Sequence, residues 1–415
     1  MKRYLLRCLS FTVLFIICGM SSIFPESISE RIQLNGFLSQ GFVYSTHNDF
    51  IPQSKKNGSF EFNEAALAIT TDISKKLRLG FQLLARDLGR IGNHQIELDW
   101  GFAEYKFANA FSLRIGKIKT PFGFFNEFRD TDALFPMVIM PQSIYDESMR
   151  SVFRAYNGSS FCGNLDLGGA GSLNYHLFLG GVNHERDAPY VIQIHTAVNV
   201  GLAPFGMSID PIVMDTQKFL GGRVIWKTPL PGLRLGGSFV HMKNQFNSLL
   251  NIPGLDPMKV YGHMNIDKGF FLSGEFTLGD FTLTSEYMEL PVVISLDLMG
   301  AGQEEILSDE TMQGFYVLGS YLFGDKVTVY TYYDRFYADK GDYEGISSIR
   351  LGNPAYFAWQ KDFAFGVRVD INFNWTFKVE WHIVKGLSKS YVFNDDLMHT
   401  KEKWNIFATK LSYNF

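Results

Sequence analysis

Cysteine is almost missing from this chain. Of three in 415 residues, Cys8 and Cys18 fall in the first twenty, which leaves Cys162 alone in the remainder. A chain trimmed of its start therefore cannot form an internal disulfide. An exported protein of this size needs stability from another source, and a closed sheet with every backbone group paired is one. Long apolar runs are missing too. After the start, no segment reaches 18 consecutive apolar residues, so a membrane role would have to come from strands rather than helices. Excess positive charge is also absent. The formal charge is −4, from 38 Lys and Arg against 42 Asp and Glu, and it becomes −7 once Lys2, Arg3 and Arg7 are removed. Such a balance does not suggest nucleic-acid binding.

The start has the form of a secretory signal. Lys2, Arg3 and Arg7 make a basic region, Leu9 to Met20 an apolar one, and Gly19, Ser21 and Ser22 supply small residues. We expect residues 1–22 to be a cleaved leader and 23–415 a single domain. Lipidation at Cys18 is disfavoured because Ile17 stands where a small residue is needed.

What is abundant is alternation. In KLRLGFQLLAR (76–86), Leu77, Leu79, Phe81, Leu83 and Ala85 share one face, and Lys76, Arg78, Gly80, Gln82 and Arg86 the other. The segments FAFGVRVDINF (363–373) and WTFKVEWHI (375–383) alternate in the same way. A period of two means strands with one apolar and one polar face. The strands are about 10 or more residues long, aromatics gather at their ends, and very short turns alternate with long loops, as in a membrane barrel. A water-soluble sandwich would share only the alternation. The expected fold is all-β: a transmembrane antiparallel β-barrel of about 16 strands, with short periplasmic turns and long extracellular loops. Residues 191–200 are read as a further strand or part of a folded loop. The end of the chain alternates as well, through Phe407, Thr409, Leu411, Tyr413 and the terminal Phe415.

Several chemistries fail on spacing. GKIKT (116–120) lacks the glycine that a phosphate loop needs five residues before its GK pair, where Phe111 stands. His184-Glu185 opens a zinc-protease pattern, but Ala188 occupies the second ligand position. There is no C-x-x-C and no G-x-S-x-G. Nine histidines are present, but no pairing with a nucleophile can be read from sequence. No cofactor, metal or enzymatic role is expected.

If apolar faces meet lipid, polar faces line the lumen. Arg78, Arg86, Arg114, Lys117, Lys119, Arg368 and Lys378 would supply its basic side, with Glu127 and Asp130 opposing them beside Arg129. The stretch 120–149, TPFGFFNEFRDTDALFPMVIMPQSIYDESM, is too apolar for an exposed loop and carries Pro121, Pro136 and Pro141. It is the candidate constriction.

This stretch carries a resemblance. Lys119, Pro121, Phe122, Gly123, Asn126, Glu127, Arg129, Asp130 and the Pro141-Gln142-Ser143-Ile144-Tyr145 run match a pattern in a family of Gram-negative outer-membrane porins. YNGSSFCGNL (156–165), GGRVIWKTPLPGLRLG (221–236) and FGVRVDINFNWTFKVEWHIVKG (365–386) continue it. It is similar in style to the phosphate-selective porins, although a lysine-rich constriction is not matched. The resemblance implies a sixteen-stranded pore for passive diffusion of small hydrophilic solutes or ions, often a homotrimer. Phe407, Leu411, Tyr413 and Phe415 resemble the terminal signal read by the barrel-assembly machinery, and outer-membrane lipid would surround the wall. The alternatives are a surface receptor or adhesin barrel with a plugged lumen, or an outer-membrane hydrolase.

Overall fold

The computed structural model describes residues 31–89, 91–184, 188–297, 305–389 and 399–415. The expected leader, 1–22, lies outside the described residues, as does Glu185.

The alternating segments form strands, and the strands form one antiparallel sheet. They are β1 (Ile32–Ser45), β2 (Asn63–Asp72), β3 (Leu77–Asp87), β4 (Glu97–Ala108), β5 (Phe111–Lys119), β6 (Ala155–Asp166) and β7 (Ser172–Gly181). The two-residue β8 (Ser208–Ile209) follows, then β9 (Val213–Lys227), β10 (Leu233–Asn251), β11 (Met258–Leu278) and β12 (Phe281–Asp297). The last are β13 (Glu305–Phe323), β14 (Val327–Tyr337), β15 (Trp359–Asp370), β16 (Trp375–Gly386) and β17 (Lys403–Asn414). Sixteen of them close a barrel, while β8 only pairs with the end of β10.

Closure is made by β1, which pairs with β2 on one side and with β17 on the other. The terminal residue completes the seam: the Phe415 amide donates to the Gly36 carbonyl and the Gly36 amide to the Phe415 carbonyl, each at 3.0 Å. Among the described residues each of the sixteen barrel strands pairs with a neighbour on both sides, which is what lipid demands. No helix among the described residues is long and apolar enough to cross a membrane.

The two faces separate as the alternation requires. Leu79, Phe81 and Leu83 of β3 are exposed on the outside, whereas Leu84 and Arg86 are buried inside. Aromatic rings pack side by side around the short-turn end, in the runs Tyr105, Phe107, Phe111, Phe161 and Trp375, Tyr413, Phe415. Strands β10 to β13 run 17 to 21 residues, well beyond the ~10 that span a bilayer, so they project past it at the long-loop end.

Of the two readings of residues 191–200, the strand fails and the folded loop holds: they lie in a helix, Pro189–Leu202, opened by proline at its first turn, within the long connection between β7 and β9. Its apolar residues are not strictly alternate, and Tyr190 and Val191 bury against the inner cluster. Strand β4 carries a bulge between the pairs Gln82↔Trp100 and Leu83↔Leu98. It flips parity, turning Asp99 inward and Leu98 out.

The apolar core lies inside the barrel. Phe122, Phe124, Phe125, Met137, Ile144 and Tyr145, all from the long connection between β5 and β6, pack against inward residues of the wall. Phe122 stacks on Phe271 of β11 at 4.7 Å between ring centroids.

A candidate constriction inside the barrel

The connection 120–154 leaves β5 and turns inward at Pro121-Phe122-Gly123. Gly123 has φ +56°, and a Cβ there would stand 2.5 Å from the Tyr145 hydroxyl and 2.8 Å from Glu286 Oε1. Only glycine lets the backbone come this close. Beyond it the chain has two single-turn 3-10 helices, Asn126–Phe128 and Asp132–Leu134, and a four-residue helix, Arg150–Phe153. Most of its backbone therefore lacks regular partners. Buried peptide groups left unpaired cost free energy, so partners must come from elsewhere.

The inner wall provides them. Glu286 on β12 accepts the Phe124 amide at 2.8 Å, together with the hydroxyls of Tyr316, Ser273 and Tyr145. Glu380 on β16 accepts the amides of Val138 and Ile139 at 3.1 and 3.0 Å, and Asp334 on β14 that of Ser143 at 3.1 Å. Cations serve the carbonyls. Arg223 donates to Gly123, Arg368 to Ala133 and Phe135, and Lys378 to Asp132 and Met137, at 2.8–3.2 Å. Strands far apart around the barrel thus hold one segment that crosses between them.

A network of charges holds the segment's return. Arg150 reaches Glu64 at 2.8 Å, Asp130 at 2.5 Å and Glu147 at 3.1 Å. Arg154 forks onto Glu97 with two bonds of 2.6 Å, and its Nε lies 3.2 Å from Asp99. Lys119 lies 2.8 Å from Asp99 and also pairs with Asp130. Lys410 spans Glu64 and Asp132 at 3.2 and 3.0 Å. Burial alone would lift the loop carboxyls, but their cations outweigh it. Arg223, with His176, holds Glu127 at about 2. Lys410 and Lys378 hold Asp132 at about 2. Arg129, Arg150 and Arg86 keep Glu147 well below the usual carboxylate range.

The residues singled out from sequence divide into groups. Arg86, Lys119, Arg129, Asp130 and Lys378 are on the inside but buried, with their charges committed to the loop. Arg78 and Arg114 remain accessible toward the short-turn end, where Arg114 pairs with Glu104 at 2.7 Å. Glu127 and Arg368 are in between, each bridging loop and wall or turn. Lys117 must be corrected. It is three residues from the inward Arg114 and two from the exposed Ile115, so strand parity puts it on the outer face. Its Nζ bonds the Leu98 carbonyl at 2.5 Å.

Sequence reading stopped the loop at 149 and so missed Arg150 and Arg154, the two arginines at the centre of the network. The spacing RSVFR, four residues apart just before a strand, was the available signal. Glu64, Asp99 and Glu380, all on strands, become partners of the loop only through contacts distant in sequence.

Space inside the barrel is uneven. At the level of the loop, one cavity of about 40 Å³ lies among Glu64, Arg129, Glu147 and Arg150. Another of about 30 Å³ lies among Phe122, Ser143, Asp146 and Lys389. Toward the short turns the hollows widen to about 370 Å³ beside Arg114, Glu127 and Phe128, and about 580 Å³ beside Arg31, Lys76, Arg78 and Lys106.

No protein-family model and no curated protein sequence matches this chain. Its structure is similar to solved barrels. An anion-selective porin from Comamonas acidovorans aligns over 92% of this chain and 99% of its own, with TM-score 0.56 and 12% identity. Salmonella typhi OmpF, solved in complex with daunomycin, aligns over 92% and 97%, with TM-score 0.53 and 11% identity. The outer membrane channel DcaP of Acinetobacter baumannii aligns over 92% and 97%, with TM-score 0.53 and 12% identity. The fold is that of outer-membrane porins.

Proposed function

We propose that this porin-fold barrel is an outer-membrane channel for passive diffusion of small hydrophilic solutes or ions, narrowed by residues 120–154. The observation that supports this most is the inward loop, held by side chains from both sides of the wall, with water-sized cavities at its level and wide polar hollows below. The cavities at its level hold no more than a few waters, so in this reading the loop sets the bore. Export by a leader, insertion by the assembly machinery and a homotrimeric state are part of the same proposal. No catalytic step belongs to it, and esterase and protease assays on the folded barrel are expected to return the buffer rate.

The test is conductance in a planar bilayer. The folded protein should give small stepwise currents, and deletion of 124–140 should enlarge them. The absence of current from both, with the barrel intact, refutes the channel. A silent parent with a conducting deletion favours a second reading, a plugged barrel acting as a surface receptor. The dense bracing of the loop and the projecting strands β10 to β13 argue for that reading.

A further inference from the structure

The outer wall carries a line of cations at one level. Arg335 of β14 is directly opposite Lys361 of β15, Lys361 is opposite Lys385 of β16, and Lys385 is opposite Lys403 of β17. All four alternate with exposed apolar residues such as Val329, Phe363 and Ile383, so they share the lipid-facing side. Directly opposed residues on paired strands are about 5 Å apart, and like charges there destabilise the pairing. A row of four across four strands extends on the order of 15 Å. Among the described residues one carboxylate answers it: Glu402 lies 3.3 Å from Lys385. The ammonium groups of Lys361 and Lys385 both sit over the Trp359 ring, at 5.6 and 5.4 Å, and Arg335 lies 5.3 Å over Tyr337.

The height of the row decides what could neutralise it. Lys361 stands nine residues above Asp370, the turn-side end of β15. At a tilt of about 40° that is roughly 23 Å along the membrane normal, close to the ~25 Å height of a barrel's apolar band. The cations therefore lie where the hydrocarbon ends on the long-loop side, at the level of the outer-leaflet headgroups. Exposed Phe363, Phe365 and Ile383 lie directly below them, a surface for acyl chains.

We propose that Arg335, Lys361, Lys385 and Lys403 form a binding site for a phosphate-bearing lipid of the outer leaflet, with its phosphates on the cation row and its chains over the apolar wall beneath. The site does not depend on whether the barrel conducts. A soluble anion would match the charges but leave the apolar surface below them unused.

The test is native mass spectrometry of the detergent-solubilised full-length barrel, titrated with bisphosphorylated lipid A, with its dephosphorylated form and with inorganic phosphate. The parent should bind the bisphosphorylated lipid. Binding should weaken about 1,000-fold in R335Q/K361Q/K385Q/K403Q, which removes four charges at the usual strength per cation near a membrane surface. The dephosphorylated lipid should bind as weakly, K361R/K385R/K403R should bind like the parent, and excess inorganic phosphate should not displace the lipid. Barrel integrity is read from heat-shifted gel mobility. If the fourfold variant fails to fold, the pairs K361Q/K385Q and R335Q/K403Q should each weaken binding at least tenfold. Unchanged affinity in any folded glutamine variant overturns the proposal. So does equal binding of the dephosphorylated lipid. Displacement by inorganic phosphate would reassign the row to free anions.

Discussion

Replacing Arg150 with alanine should release the inward loop without opening the barrel. Arg150 is almost fully buried and reaches three carboxylates, Glu64, Asp130 and Glu147, within 3.1 Å. Truncating one member of a buried ionic cluster typically costs 3–5 kcal/mol, because charges are left without partners. Each of these carboxylates keeps a second cation: Lys410 for Glu64, Lys119 for Asp130 and Arg129 for Glu147. That places the loss near the lower end, about 3 kcal/mol, or on the order of 100-fold in the fraction of undocked loop. The wall's own backbone pairing does not involve this side chain, so the barrel should persist. The assay is limited trypsin cleavage after Arg129, which tracks the open population when reclosing outpaces cutting. A matched control is Arg114→Ala. Its partner Glu104 is as close, at 2.7 Å, but both side chains are partly exposed, so the pair contributes less than about 1 kcal/mol and does not touch the loop's return. Equal cleavage rates in the two variants, both with intact barrels, would refute the claim that buried charges hold the loop.

Acid should loosen the same loop. Asp132 and Glu127 sit at about 2 when docked, against ordinary values of 3.8 and 4.5, so their stabilisation is complete above about pH 4.5 and lost as pH falls toward 2. Loop cleavage by an acid-active protease should be flat from pH 7 to 5 and rise below 4; a rise at neutral pH would contradict this. Gly123→Ala puts a methyl group against Tyr145 and Glu286 in a backbone conformation that disfavours it, so loop docking should weaken by about 1–3 kcal/mol, read by the same trypsin assay at pH 7. Removing Phe415 deletes two seam hydrogen bonds to Gly36 and should slow refolding into vesicles, measured by heat-shifted mobility, while leaving the loop of the folded fraction protected. Refolding at the parent's rate would show that the terminal residue is dispensable to closure.

Legibility from sequence followed the range of the interaction concerned. The faces of β3, β15 and β16 could be read because side-chain alternation is a property of each strand alone. Turn chemistry is equally local: Gly279 and Gly324 take the positive φ of the short turns at Gly279-Asp280 and Gly324-Asp325. The helix at 189–202 and the bulge at Asp99 were not legible, since buried apolar contacts selected the one and the neighbouring register of β3 the other. Lys117 was misassigned by grouping it with Arg114, although three residues along a strand reverse the face.

By itself the sequence determined an all-β chain with one apolar face per strand, long enough to span a bilayer, and a loop too greasy for water. These follow from the period of a strand and the cost of exposing apolar surface. Only the tertiary structure decided where the charges go. Glu286, Glu380, Arg223 and Lys378 could have faced open water, but closing the barrel brought them against a loop more than 60 residues away in sequence. There they serve its unpaired amides and carbonyls, because a buried backbone without regular structure must find its partners in side chains. The same closure lined up Arg335, Lys361, Lys385 and Lys403, which nothing in the linear order places together.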